Sequence, residues 1–281
     1  MLAFLASLLF VGYFVVRNWN QLQSLGKPDF GLLVASAIAY AASFFTSTLA
    51  WLAALRAISV CVAAREALRV NSIAQIGKYL PGNVAHLFAR GALLKQHGVR
   101  LKDYGISTVI EVSAIVVAAC IVAASGLALE RDALAPVSQV GTYLDFGSIA
   151  VALAVVTVLA GVLISKRAST ARFGLAVLAF CASFLLAGIS FKLVASAFDF
   201  HSINASVSIG FFAIAFLVGY LVPGAPAGLG VREAVLLICL APLIGGAAAL
   251  ALSLTHRILS AATDCAIALA AFAYTAWRKA A

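Results

Sequence analysis

The chain has 281 residues, of which 64% are hydrophobic and only 10% charged, and its mean hydropathy is +1.09. A water-soluble domain carries roughly 25% charged residues, so the composition excludes a soluble globular protein and a soluble domain of useful size between the apolar segments. The formal net charge of +9 sits in loops and in two special motifs; it matches the positive-inside bias of membrane proteins and supplies no exposed basic face for nucleic acid.

Residues 2–16 form the first apolar segment, short but extendable through Arg17–Trp19 as an interfacial anchor. Without a basic leader or a small-residue cleavage site, it reads as a spanning helix and not as a removable signal. A polar loop ends in Lys27-Pro28-Asp29, and a second span covers about 30–55. Its Ser43, Thr46, Ser47 and Thr48 either face a polar interior or bond their own helix backbone.

From Arg56 to Asp103 basic residues dominate, and segments of about 16 and 14 residues flank Pro81-Gly82. Neither is long and apolar enough to cross a bilayer alone, so a helix-break-helix hairpin that dips in and returns is expected. A span at about 104–129 carries Glu111 near its start, followed by the acidic loop 130–145, spans at about 146–165 and 173–198, and the basic turn Lys166-Arg167…Arg172 between them. After the polar stretch 199–204 comes a second hairpin at about 205–240, then a last span at about 246–277 with His256, Arg257 and Asp264.

The second hairpin is organised on Tyr220-Leu-Val-Pro-Gly-Ala-Pro-Ala-Gly-Leu-Gly-Val-Arg-Glu233. Proline removes an amide donor and ends a helix, and glycine opens conformations that other residues avoid. One helix is expected to end near Val222 and another to begin near Gly228, with Arg232 in its first turns. Broken backbone at membrane depth is tolerated only inside protein or beside a polar cavity. The first hairpin repeats this skeleton in Tyr79-Leu-Pro-Gly-Asn-Val-Ala-His-Leu-Phe-Ala-Arg90, and Pro81 to Arg90 has the same nine-residue spacing as Pro223 to Arg232. Pro81, Gly82, Pro223, Gly224, Pro226, Gly228 and Gly230 are the candidate hinge positions.

The expected fold is an all-α polytopic membrane protein with about six full spans and two re-entrant helix-break-helix hairpins. If the basic segments lie in the cytoplasm, both termini are cytoplasmic and the hairpins enter from opposite faces. Two helices, a hairpin and one helix make three crossings. The second copy is then upside down, giving an inverted repeat of about 1–137 and 138–281 in a single transmembrane domain. Inverted repeats whose broken elements meet at mid-membrane are the architecture of alternating access.

Helix N-termini at the breaks favour anions, and Arg90 and Arg232 add charge that no pH near neutral removes. An anion such as a lipid phosphate suits them. Glu111 and Glu233 are expected to hold the two arginines, because an unpaired buried charge is costly. Arg257 and Asp264 share a helix face seven residues apart and could pair. With Arg90, Arg232, Glu111, Glu233 and Arg257, the residues Lys78, Asn83 and His86 complete the candidate substrate contacts, although N-capping explains Asn83 as well. Glu111, Asp264 and His256 are the candidates for carrying protons. The five cysteines are scattered singly without metal-ligand or redox spacing and read as small buried hydrophobes; no metal and no cofactor is implied.

Pro226-Ala-Gly-Leu-Gly-Val-Arg-Glu233, with Gly77-Lys-Tyr-Leu-Pro-Gly-Asn83 and Arg90, resembles the lysylphosphatidylglycerol synthase transmembrane-region family over nearly the whole chain. That family includes a lipid-flippase domain and many small proteins encoded with bacterial and archaeal glycan-assembly enzymes. Ala227 departs from it, standing where the family usually has a second consecutive glycine, and no aminoacyl-transferase domain is present in these residues. The resemblance implies a flippase-like transporter of the cytoplasmic (inner) membrane with no enzymatic activity, moving an anionic lipid. Its candidates are a phospholipid or a polyprenyl-phosphate-linked sugar of envelope glycan assembly, with glycosyltransferases as partners. The alternatives are a membrane transferase using Glu111 or Glu233 as a lone base, and a non-catalytic subunit of a glycan-assembly complex.

Overall fold

A computed structural model describes residues 16, 25–79, 85–129, 168–222 and 226–280. The expected spans at 2–16 and 146–165 lie outside the described residues but for Val16. Within the described residues the regular elements are all helical: α1 (Phe30–Ala57), α2 (Ala64–Ala74) running into a 3₁₀ turn (Gln75–Tyr79), α3 (Ala85–Lys95), α4 (Leu101–Ala128), α5 (Thr170–Ala197), α6 (Ala205–Leu221), a 3₁₀ turn (Pro226–Gly228), α7 (Val231–Ile244) and α8 (Gly246–Ala280). Four of them, α1, α4, α5 and α8, are long and apolar enough to cross a membrane, and α6 is a shorter apolar helix. The chain is a multi-pass helical membrane protein.

The side chains of α1 explain why. Phe30, Val34, Ile38, Phe45 and Leu49 are exposed at helical spacing, a continuous apolar stripe that water would not tolerate but lipid covers. On the other side, Ser36 is buried while Tyr40, Ser43 and Ser47 line an internal cavity. The helix therefore turns large apolar side chains to lipid and sets hydroxyls among the groups that face inward. Ser43, Thr46, Ser47 and Thr48 all donate to carbonyls three or four residues back, so both readings of these hydroxyls hold for Ser43 and Ser47.

Helices α1 and α5 form the central pair, each 28 residues long and antiparallel to the other. Their ends are capped reciprocally: the Asp29 amide donates to the Ala197 carbonyl at 2.8 Å, and the Ser169 amide donates to the Ala57 carbonyl at 2.9 Å. Midway, Ala42-Ser43-Phe44 meets Ala182-Ser183-Phe184, and the Ser183 hydroxyl donates to the Ser43 carbonyl at 2.9 Å. Ser36 and Ser190 add a second hydroxyl contact. Polar groups of this kind hold helices together in lipid, where burying apolar surface gains little. Helix α6 packs on α4 through small residues: a Cβ on Gly126 would stand 2.7 Å from the Ser206 carbonyl oxygen and 3.1 Å from the Gly210 Cα.

Both interrupted elements fold back on themselves, α2 against α3 and α6 against α7, and their two 3₁₀ turns touch. Around the first, Trp51 and Leu55 of α1, Val70 of α2, Leu94 of α3 and Tyr104 of α4 share one apolar cluster. The second is embedded in a larger cluster with α5 and the start of α8, including Phe191, Phe211, Leu240 and Leu250.

Candidate functional site: a cationic cavity at two helix breaks

Helix α6 ends at Leu221 with Val222 as its C-cap in extended backbone, as the sequence predicts. The chain then makes a left-handed turn: Ala227, Gly228 and Gly230 all have positive φ (49°, 70° and 82°). Ala227 is the departure from the resembled glycine pattern, and its Cβ makes that conformation costly by about 1–2 kcal/mol. Helix α7 starts at Val231, slightly later than expected, and the Glu233 carboxylate accepts the Gly230 amide at 2.6 Å. One amide at this helix start is thus already occupied. Gly228 lies against Gly219, where an added Cβ would meet the Gly219 Cα at 3.0 Å. The Arg232 stem fills the space that a Gly219 side chain would need, with Cγ 2.5 Å from the position of such a Cβ.

Between the breaks lies a cavity of about 170 Å³, lined by Lys78, His86, Arg90, Glu111, Arg232 and Arg257. Tyr40, Tyr79, Gln75, Tyr220 and a wall of Phe180, Phe184, Phe212 and Phe216 complete most of its lining. Six of the eight predicted substrate contacts therefore converge on one space. Glu233 is buried but does not line it. Asn83, Pro81, Gly82, Pro223 and Gly224 lie outside the described residues.

The ion pairs differ from expectation in two places. Arg90 donates to Glu111 at 2.8 Å, as predicted, and stacks over the Trp51 ring with its guanidinium 4.7 Å from the centroid. Glu233, however, pairs with Arg257 at 3.7 Å and not with its neighbour Arg232, because the first helical turn points adjacent side chains in different directions. The predicted Arg257–Asp264 pair is likewise not formed. Asp264 is fully buried and pairs with Lys78, while Tyr40 and Gln75 donate to it at 3.2 Å and Tyr79 at 2.5 Å. Two residues on one helix face are displaced from each other when better-placed partners arrive from other elements.

Each carboxylate of the cavity region thus has its own cation: Asp264 has Lys78, Glu111 has Arg90 and Glu233 has Arg257. Among the described residues Arg232 makes no ion pair. Its guanidinium lies 4.1 Å from the Phe216 ring centroid, and its buried Nε has no hydrogen-bond partner.

No protein-family model and no curated protein matches this chain.

What the cavity can do is read from its own groups. His86 Nδ1, Arg90 Nε and Glu111 Oε2 are also buried without partners, so the space offers polar atoms as well as the charge of Arg232. Sequence reasoning missed Tyr40 as a partner of Asp264, since a tyrosine in an apolar helix carries no distinguishing signal. Tyr79 and Tyr220 could have been found, because each opens its copy of the repeated motif. His256 stands apart from the cavity; its Nε2 is 3.1 Å from the Ser190 hydroxyl, among the rings of Tyr40, Phe191 and Phe212.

Outside the cavity, Glu66, Arg69 and His97 tie α2 to the loop after α3. The hydrogen bond from Arg69 holds the Glu66 carboxyl below its ordinary value.

Proposed function

We propose that this protein is a flippase-like transporter that moves an anionic lipid across the cytoplasmic membrane by alternating access. The observation that carries the reading is Arg232: a cation at a helix break, facing a cavity in which every neighbouring carboxylate already holds another cation. An unpaired charge away from water is costly, so a site built this way gains from taking an anion. A phosphate headgroup supplies the negative oxygens, and the aromatic wall and remaining polar atoms receive the rest of the headgroup while the acyl or prenyl chains stay in lipid.

The wider architecture is part of the proposal. With apolar segments 2–16 and 146–165 as spans, the chain has six crossings and two re-entrant hairpins, both termini in the cytoplasm and two inverted halves. The reciprocal caps of α1 and α5, 140 residues apart in sequence on each side, support that inversion. So does the paired Ala-Ser-Phe where the helices cross. Membership of the resembled family, and a polyprenyl-phosphate-linked sugar as cargo with glycosyltransferases nearby, rest on the resemblance of the two motifs.

Headgroup translocation in proteoliposomes tests the reading, with short-chain fluorescent anionic lipids and wild type, Arg90→Ala and Arg232→Ala. Wild type is expected to move the lipid and Arg232→Ala to stop it while remaining folded. Rates equal to those of protein-free vesicles in all three proteins would overturn it.

A further inference from the structure

Helix α8 touches both breaks with two charged side chains, Asp264 and Arg257. Asp264 anchors the first break: it pairs with Lys78 and accepts hydrogen bonds from Gln75 and Tyr79, three residues of one 3₁₀ turn, as well as from Tyr40 of α1. Arg257 anchors the second: its Nη1 donates to the Ala227 carbonyl at 3.0 Å and lies 3.7 Å from Glu233, the residue that caps Gly230. The two anchors are seven residues apart, two helical turns or about 10 Å along the axis, with Ser260 between them on the cavity face. Helix α8 runs unbroken from Gly246 to Ala280.

We infer that α8 is a strut that couples the two breaks, so that Asp264 and Arg257 act as positioning residues through which opening of one hairpin is felt by the other. The physical reason is rigidity. Each 3₁₀ turn is a poorly bonded piece of backbone held by side chains more than by its own ladder, and those side chains belong to the same stiff helix. Releasing the first turn frees α8 to shift or rotate, and that movement pulls the Ala227 carbonyl and the Glu233 cap of the second turn. Alternation needs such a link, since two gates that open independently leak. As a gate-coupling device the strut rests on the transporter reading. Backbone opening can nevertheless be measured without lipid movement, so the strut and the transporter fail separately.

Hydrogen–deuterium exchange of the full chain in detergent micelles reads the coupling. Asp264→Asn is expected to speed exchange at 75–79 and also at 226–233, and Arg257→Gln at 226–233 and also at 75–79. Because coupling between two sites is reciprocal, the two remote effects are similar in size, about fivefold or more. Glu111→Gln, which releases Arg90 without touching α8, speeds exchange in 85–95 and leaves 226–233 unchanged. If Asp264→Asn does not fold, Tyr79→Phe removes a single donor and gives a smaller rise at both turns. Adding Ala261→Gly and Ala262→Gly to soften the strut returns 226–233 to wild-type exchange in either background. Exchange that rises only at the turn nearest each substitution overturns the strut. A remote rise that survives the softened helix also overturns it, because the signal then passes between the touching turns directly.

Discussion

The two hairpins share a skeleton and differ in how their arginine is satisfied. Arg90 and Arg232 occupy matched positions after Pro-Gly, and each lies over an aromatic ring, Trp51 and Phe216 respectively. Yet the helix after the first hairpin offers Arg90 a carboxylate, Glu111, while the helix after the second brings Arg257, a further cation. The residue beside Arg232 is an acid, and that acid is taken by Gly230 and Arg257. The repeated motif therefore keeps its residue spacing without keeping charge balance: Arg90 has a carboxylate partner, and among the described residues Arg232 makes no ion pair.

The sharpest way to break this contrast is to remove the carboxylate partner of Arg90. Glu111→Ala leaves Arg90 buried and unpaired, and removing one partner of such a pair costs about 3–5 kcal/mol; a large fall in the detergent melting temperature is expected. Arg90→Met with Glu111→Leu restores most of that loss. Arg232→Met, with no carboxylate to orphan, is neutral or slightly stabilising. A destabilisation by Arg232→Met as large as that of Glu111→Ala would erase the difference between the copies.

The turn of the second copy gives the next effects. Gly228→Ala puts a Cβ at positive φ against Gly219 and should cost about 1–3 kcal/mol. Ala227→Gly should gain about 1 kcal/mol by relieving the same conformation one residue earlier. Thermal unfolding of the two variants checks the opposite signs.

The smallest effect belongs to the first copy alone. Glu66 has its folded-state pKa lowered from the ordinary 4.5 by the hydrogen bond from Arg69, so its stabilisation is present in full above that value. It is lost as pH falls through the lower folded value. Because the pair is partly exposed, the change is expected to stay below about 1 kcal/mol. Glu66→Gln abolishes this part of the acid dependence, which a pH series of melting temperatures below pH 4.5 detects.

The long spans were legible in the sequence because lipid demands an uninterrupted apolar run: 30–55 became Phe30–Ala57 and 173–198 became Thr170–Ala197. The second break was legible from its prolines and glycines, and the convergence of Lys78, Arg90 and Arg232 from the repeat that placed the motifs. Of the expected ion pairs only Arg90–Glu111 was legible. Arg232 and Glu233 are neighbours in sequence, and Arg257 and Asp264 neighbours on a helix face, but partner choice is set by which elements cross, which short-range spacing does not encode. Asp264 reaches a lysine 186 positions away along the chain.

The central claim is that Arg232 is the anion site, and equilibrium binding of short-chain lipids to the purified protein tests it most directly. Wild type is expected to bind dihexanoyl phosphatidylglycerol at least about tenfold more tightly than dihexanoyl phosphatidylcholine, a difference of about 1.4 kcal/mol, and Arg232→Gln to lose that preference while keeping its fold. Equal affinity of wild type for the two lipids, or an unchanged preference in Arg232→Gln, would contradict it.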